Sequence, residues 1–169
     1  MDIRTILVSL IIVNFSISVF MFITQRVQKT YPGYFHWSCS VALVSLLYIL
    51  LALRGFISNF LSIVVANSLI SAAGMLRISG IRSFFGLKTP LWTLFVIPLF
   101  TLGFFLFLTY GNNNIVYRNI TISVIMVLTT IYIAKMLFIH LDQGSKLLFW
   151  FYIIMLDLFA VVASVRSIY

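Results

Sequence analysis

The chain has 169 residues, of which 63% are hydrophobic and 8% are charged, and its 11 Lys or Arg residues outnumber its 3 acidic residues. So few charges cannot cover the surface of a soluble globule, so the composition excludes a soluble domain and predicts a protein whose solvent is lipid. The net charge of +8 does not indicate binding to nucleic acid, because the basic residues stand singly along the chain instead of forming a patch.

Apolar stretches long enough to cross a bilayer core of about 30 Å recur along the chain and are separated by short polar breaks. The sequence therefore predicts an all-α fold, namely one polytopic transmembrane domain over residues 1–169 with about six helices. The predicted helices cover residues 3–25, 35–53, 60–78, 91–110, 115–139 and 147–165.

The first predicted helix is too long for a cleavable signal peptide and ends in a basic turn that contains Pro32 and Gly33. The second helix carries Trp37, an aromatic residue typical of the membrane interface. A short turn at Arg54 and Gly55 follows it, so the second and third helices are expected to be antiparallel neighbours.

The third predicted helix is rich in small residues, with Ser62 and Ala66, and also Ser68 and Ala72, at four-residue spacing. Small residues allow helix backbones to approach closely in lipid, so this helix is expected to lie centrally in the bundle. An interfacial turn over residues 80–90 is expected to end it.

The fourth predicted helix contains Pro98, which removes one backbone hydrogen bond and is expected to kink the helix. The most polar loop, residues 111–114, leads into the fifth helix, and residues 140–146 lead into the sixth.

The distribution of basic residues predicts the orientation of the chain in the membrane. With six helices, the loops between helices 1 and 2, 3 and 4, and 5 and 6 share one side, which the positive-inside bias places in the cytoplasm. That side collects Arg26, Lys29, Arg77, Arg82, Lys88, Lys135 and Lys146, whereas the other side has Arg4, Arg54, Arg118 and Arg166. Both termini then face outward, and an effector after Tyr169 needs a seventh helix to reach the cytoplasm.

Three polar residues inside predicted helices are candidate intramembrane switch residues: Asp157, Asn67 and Asn14. A carboxylate at the midpoint of the sixth helix costs about 2.5 to 3.5 kcal/mol on insertion scales, so Asp157 is expected to face the bundle, with Asn67 as its candidate partner. A proton or cation site, a polar latch that changes partner with a signal, and a carboxyl group that only fixes packing all stay open for Asp157.

The sequence offers no set of residues suited to catalysis. His36 and Cys39 lie three residues apart on one helix face, but two ligands without a third nearby do not make a metal site. A phosphate-binding glycine loop is missing, and so is a spaced set of nucleophile, base and acid. The sequence therefore predicts a non-enzymatic chain with no metal and no cofactor, whose partner is the lipid bilayer.

Several short stretches, mainly in the first half of the chain, form a combination found in one known family. They are Asp2 and Thr5, Pro32-Gly33 with Trp37, Leu53-Arg54-Gly55, Leu61-Ser62-Ile63 with Ala66-Asn67, and Gly80-Ile81-Arg82-Ser83-Phe84-Phe85-Gly86. Together they resemble the MASE-like multi-pass membrane sensor region that precedes bacterial GGDEF-type diguanylate cyclase domains. The turn residues that carry this resemblance are Pro32, Gly33, Trp37, Arg54, Gly55, Gly80, Arg82, Phe84 and Gly86.

The resemblance implies a signal-input domain of the bacterial inner membrane, with a homodimer and a cytoplasmic GGDEF domain that makes cyclic di-GMP as expected partners. The cyclase itself cannot lie in this chain, because the GGDEF motif contains Glu and the sequence has none. Two alternatives stay open, namely a small transporter or channel subunit that uses Asp157, and a structural membrane scaffold.

Overall fold

The computed structural model of the chain describes residues 3–111 and 114–140. Within that part all regular structure is helical, and five helices are long and apolar enough to cross a membrane. They are formed by α1 (Ile3–Val27), α2 (Tyr34–Ala52), α3 (Ala66–Phe84) with a π-helical segment before it, α4 (Leu91–Leu106) with the π-helical segment Phe107–Gly111 after it, and α5 (Ile115–His140). The sixth predicted helix, residues 147–165, lies outside the described residues.

The chain divides into two compact units, with α1 to α4 in the first and α5 in the second. Within the first unit α1 packs against α2, α2 against α3, and α3 against α4. The pairing of α2 and α3 is antiparallel, because Gly33 lies against Gly80 while Ser40 bonds to Ala73.

Helix α3 is the most buried of the five helices, as its small residues predict. A π-helical segment, Phe60–Val65, leads directly into it, so the helical backbone runs without a break from Phe60 to Phe84. Its buried residues are mainly small, namely Ala66, Ser68, Ser71, Ala73, Gly74, Ser79, Gly80 and Ile81. Small side chains on this helix allow α2 and α4 to approach it closely.

The predicted end of the third helix at residue 78 is wrong, because α3 continues through Gly80 to Phe84. In lipid an unpaired backbone group is costly, so a glycine inside an apolar stretch does not end a helix as readily as it does in water. The chain leaves the helix two residues after Phe84, at Gly86, whose φ is +72°. The Leu87 amide donates to the Arg82 carbonyl (2.8 Å) and the Gly86 amide to the Ser83 carbonyl (3.1 Å), the two bonds of a Schellman motif.

Three of the basic residues that the sequence assigns to one side of the membrane or the other lie inside helices, within the predicted bounds of those helices. Arg77 is within α3, and Arg118 and Lys135 are within α5. Four other basic residues lie together at one end of the first unit, where α1 ends and α2 begins. We refer to this end, where α3 also ends and α4 begins, as the basic end, and it carries Arg26, Lys29, Arg82 and Lys88.

Candidate functional site

Helices α2 and α3 approach each other backbone to backbone at the basic end. Gly33, directly after Pro32, has a φ of +90° and lies at the start of α2, where its carbonyl accepts a bond from the Trp37 amide (3.2 Å). A Cβ atom built on Gly33 would collide with the Gly80 carbonyl and would lie 2.9 Å from its carbon atom. Only glycine at position 33 allows both the backbone conformation and this approach.

The Trp37 side chain covers the other side of the same contact. A Cβ atom on Gly80 would collide with the Trp37 ring, lying 2.9 Å from Nε1, and would lie 3.0 Å from the Gly33 carbonyl oxygen. Three of the turn residues selected from the sequence, Gly33, Trp37 and Gly80, therefore come together at one point. We call these three residues the glycine contact.

Aromatic rings extend this contact to the end of α3. Tyr31, in the turn between α1 and α2, packs edge to face on Phe84 with ring centroids 5.8 Å apart. Phe84 packs in the same way on Phe85 at 5.2 Å. Such pairs contribute about 0.5 to 1.5 kcal/mol each beyond the area they bury, so they help to hold the turn on α3.

A polar cluster joins α2 and α3 seven residues along each helix from Gly33 and Gly80. The Ser40 hydroxyl donates to the Ala73 carbonyl (2.9 Å), and Nε of Arg77 donates to the same Ser40 oxygen (3.1 Å). Ser40 is completely buried, whereas Arg77 is half-buried. We call Ser40, Ala73 and Arg77 the arginine cluster.

A second polar bridge joins α3 to α4. The hydroxyl oxygens of Ser71 and Thr101 lie 2.6 Å apart, and both residues are buried. The Thr101 oxygen also lies 2.8 Å from the carbonyl of Pro98, the residue that has no N–H to donate to the preceding turn of α4. Thr101 thus connects the turn of α4 that contains Pro98 to the central helix.

The remaining turn residues lie away from the glycine contact. Arg54 and Gly55 form the turn between α2 and α3 at the opposite end, where Gly55 has a φ of +98°. Arg82 donates from a terminal nitrogen to the Lys88 carbonyl (2.7 Å) across the turn that follows α3. A Cβ atom on Gly55 or on Gly86 would meet no atom within 4 Å. These glycines are therefore needed for backbone conformation and not for close packing.

The candidate switch residues are placed as follows. Nδ2 of Asn14 donates to the Leu10 carbonyl (2.9 Å) in its own helix α1. Asn67 is half-buried near the start of α3. Its side-chain amide forms no hydrogen bond within the described part of the chain. Asp157 lies outside the described residues, so its proposed pairing with Asn67 stays a prediction.

In residues 3–111 and 114–140 the charged side chains are all Lys or Arg. All three acidic residues of the chain, at positions 2, 142 and 157, lie outside residues 3–111 and 114–140. Within those ranges no three side chains of His, Cys, Asp or Glu come together, and His36 and Cys39 have no third ligand there.

Sequence reasoning missed the arginine cluster and the bridge between Ser71 and Thr101. The signal that could have found the cluster is a single cation, Arg77, seven residues inside an apolar helix, with Ser40 six residues inside the facing helix. Antiparallel neighbours that share an end place two such positions at the same depth.

The described part of the chain belongs to the class of all-helical proteins with several helices of membrane-spanning length and hydropathy. Comparison with known protein families, with curated proteins and with solved structures finds no match to the chain.

Proposed function

We propose that the chain is the membrane-embedded sensory domain of a bacterial signalling protein that controls a cytoplasmic diguanylate cyclase. The observation that supports this proposal is the glycine contact, because Gly33, Trp37 and Gly80 carry the family resemblance and meet in space. Gly80 is more than 40 positions away from Gly33 and Trp37 in the sequence. Because all three share one contact, we expect them to act as a unit.

The proposed mechanism is a change in packing between α2 and α3. A signal shifts a two-state equilibrium only if it binds the two packings with different affinity. The glycine contact and the arginine cluster distinguish the two packings, because a helix displacement that separates Gly33 from Gly80 also stretches the bonds of Ser40 to Ala73 and Arg77. The domain therefore has a close-packed and a separated form.

We propose an orientation in which the basic end of the first unit faces the cytoplasm. Arg26, Lys29, Arg82 and Lys88 at that end favour the cytoplasmic side. Both termini of the 169-residue chain then lie outside, and one further crossing brings an attached cyclase into the cytoplasm. A homodimer is the proposed assembly, because diguanylate cyclases join two GTP molecules.

The first test is the identity of the native gene product. We expect its intact mass to be well above the 19.3 kDa of these 169 residues, with a seventh helix and a GGDEF domain encoded downstream. A native product that ends at Tyr169, with no such domain, would contradict the proposal.

The second test measures the cyclic di-GMP level of cells that carry the native protein with Gly80→Leu. We expect the level to change, because the side chain separates α2 from α3. Gly103→Leu in α4 is the matched control, since a Cβ atom there meets nothing within 4 Å. Equal output from both variants would contradict the signalling role.

Loss of proton-coupled uptake in liposomes with Asp157→Asn would instead favour a transporter.

A further inference from the structure

Arg77 is a cation inside a membrane-spanning helix. It lies seven residues before the end of α3, about 10 Å along the axis at about 1.5 Å per residue. Its partner Ser40 lies six residues after the start of α2, which gives a similar depth of about 9 Å. A charge at such a depth in hydrocarbon is costly and normally has a partner of opposite charge.

The described residues contain no carboxylate that could be this partner, because all three acidic residues lie outside them. Within the described part of the chain, the hydrogen bonds of Arg77 are limited to the one from Nε to Ser40. A guanidinium carries five N–H donors in a planar fork, so the two terminal nitrogens of Arg77 keep four of them for another acceptor.

Ser40 holds the guanidinium in a defined orientation. Its only hydrogen atom is directed to the Ala73 carbonyl, so its lone pairs accept from Nε of Arg77. Because Ser40 is completely buried and Arg77 is half-buried, the guanidinium is anchored on the helix interface and partly exposed elsewhere. A guanidinium held in this way is preorganised to receive an anion.

We propose that Arg77 binds the phosphate group of an anionic membrane lipid, with Ser40 as a positioning residue. The planar guanidinium forms two parallel N–H···O bonds to a phosphate, and basic sites between membrane helices take anionic headgroups. The proposal does not depend on the signalling role, since it concerns binding to the chain itself.

The test uses the full chain in a zwitterionic detergent, titrated with phosphatidylglycerol or phosphatidylcholine and followed by native mass spectrometry. We expect a preference for phosphatidylglycerol, and we expect Arg77→Gln to raise the Kd for this lipid about tenfold, the effect of losing a charge-assisted hydrogen bond. Arg82→Gln, at the same end, is the matched control and should change the Kd by less than about twofold, because Arg82 bonds to a backbone carbonyl in an exposed turn. Equal effects of the two variants would overturn the proposal.

Two further variants keep the test decisive if Arg77→Gln does not fold. Arg77→Lys keeps the charge but loses the fork, so we expect it to retain the preference for anionic lipid with a Kd between those of the wild type and the glutamine variant. Ser40→Ala should raise the Kd for phosphatidylglycerol several-fold, whereas Ser38→Ala, at an equally buried serine of the same helix, should not. Unchanged affinity in both Arg77→Lys and Ser40→Ala would overturn the proposal.

A competition experiment separates a lipid phosphate from a free one. Millimolar inorganic phosphate should leave the bound phosphatidylglycerol in place, because the site lies inside a membrane span. Displacement by inorganic phosphate would overturn the assignment to a lipid and identify a site for soluble anions.

Discussion

Gly33 and Gly80 lie backbone against backbone, and a Cβ atom on Gly33 would lie 2.9 Å from the Gly80 carbonyl carbon. This contact joins the turn that starts α2 to a position within α3 that is 47 residues later in the chain. Because lipid supplies no hydrophobic drive between helices, such close backbone packing is a main source of their association. The predictions that follow test this contact and the two polar bridges around it.

Replacing Gly80 with alanine should destabilise the protein by about 1 to 3 kcal/mol, the usual cost of overpacking a well-packed interface. The added Cβ atom would meet the Trp37 ring and the Gly33 carbonyl oxygen, so α2 and α3 must separate. Gly103→Ala is the control, because the same change in open space should be neutral or stabilising by up to about 1 kcal/mol through helix propensity. The free energy of unfolding from a denaturing-detergent titration measures both, and a loss of stability in both variants would argue against the contact.

A second pair of glycines separates close packing from backbone strain. Gly33→Ala and Gly86→Ala both place a side chain at positive φ, +90° and +72°, which costs about 1 to 2 kcal/mol. Only Gly33 also faces a neighbouring backbone. We therefore expect Gly33→Ala to lower the unfolding free energy by about 1 to 3 kcal/mol more than Gly86→Ala does. Equal losses would show that the two glycines serve only their turns.

The helical architecture could be predicted from the sequence because apolar length alone defines a membrane helix. The predicted helices that fall in the described residues are present, and their starts agree within one residue when the π-helical segment Phe60–Val65 is counted with α3. The end of α3 could not be predicted in the same way, since Gly80 is a helix breaker in water and a packing residue in lipid. Sequence alone does not show which of the two environments surrounds a glycine.

The polar part of the site could not be predicted from the sequence, because a serine in a helix can donate its hydrogen bond within its own helix or to a neighbouring helix. Ser38 and Ser40 are two residues apart in α2 and equally buried, yet Ser38 donates to Tyr34 in its own helix and Ser40 donates to Ala73 in α3. A local bond to the carbonyl four residues earlier is always available. Only the position of the neighbouring helix decides between them, and the sequence does not contain that position explicitly.

This difference gives a third prediction. Ser40→Ala removes the bond between helices and should lower the unfolding free energy by about 0.6 to 2 kcal/mol, in the range found for bonds between membrane helices. Ser38→Ala should change it by less than about 0.5 kcal/mol, because its bond to Tyr34 duplicates one that the helix backbone already makes. The same unfolding titration measures both variants. If Ser38→Ala costs as much as Ser40→Ala, burial of the hydroxyl matters more than its partner.

The bridge between Ser71 and Thr101 gives a fourth prediction, tested with a double-mutant cycle. Ser71→Ala and Thr101→Ala should show a coupling energy of about 0.6 kcal/mol and at most about 1.7 kcal/mol, because either change alone removes the same bond between α3 and α4. Ser71→Ala and Thr101→Ala alone should cost similar amounts, since each hydroxyl also lies 2.8 Å from a carbonyl of its own helix, that of Ser68 for Ser71 and that of Pro98 for Thr101.

The control cycle for this bridge combines Ser71→Ala with Thr93→Ala. Thr93 lies in the same helix as Thr101, but its hydroxyl donates to the Pro90 carbonyl in an exposed first turn. The effects of these two substitutions should add within about 0.3 to 0.5 kcal/mol, as independent sites do. Coupling of similar size in both cycles would mean that α4 responds as a rigid body to any loss of polar groups. Coupling confined to Thr101 would place the connection between the Pro98 turn of α4 and the central helix at this one bond.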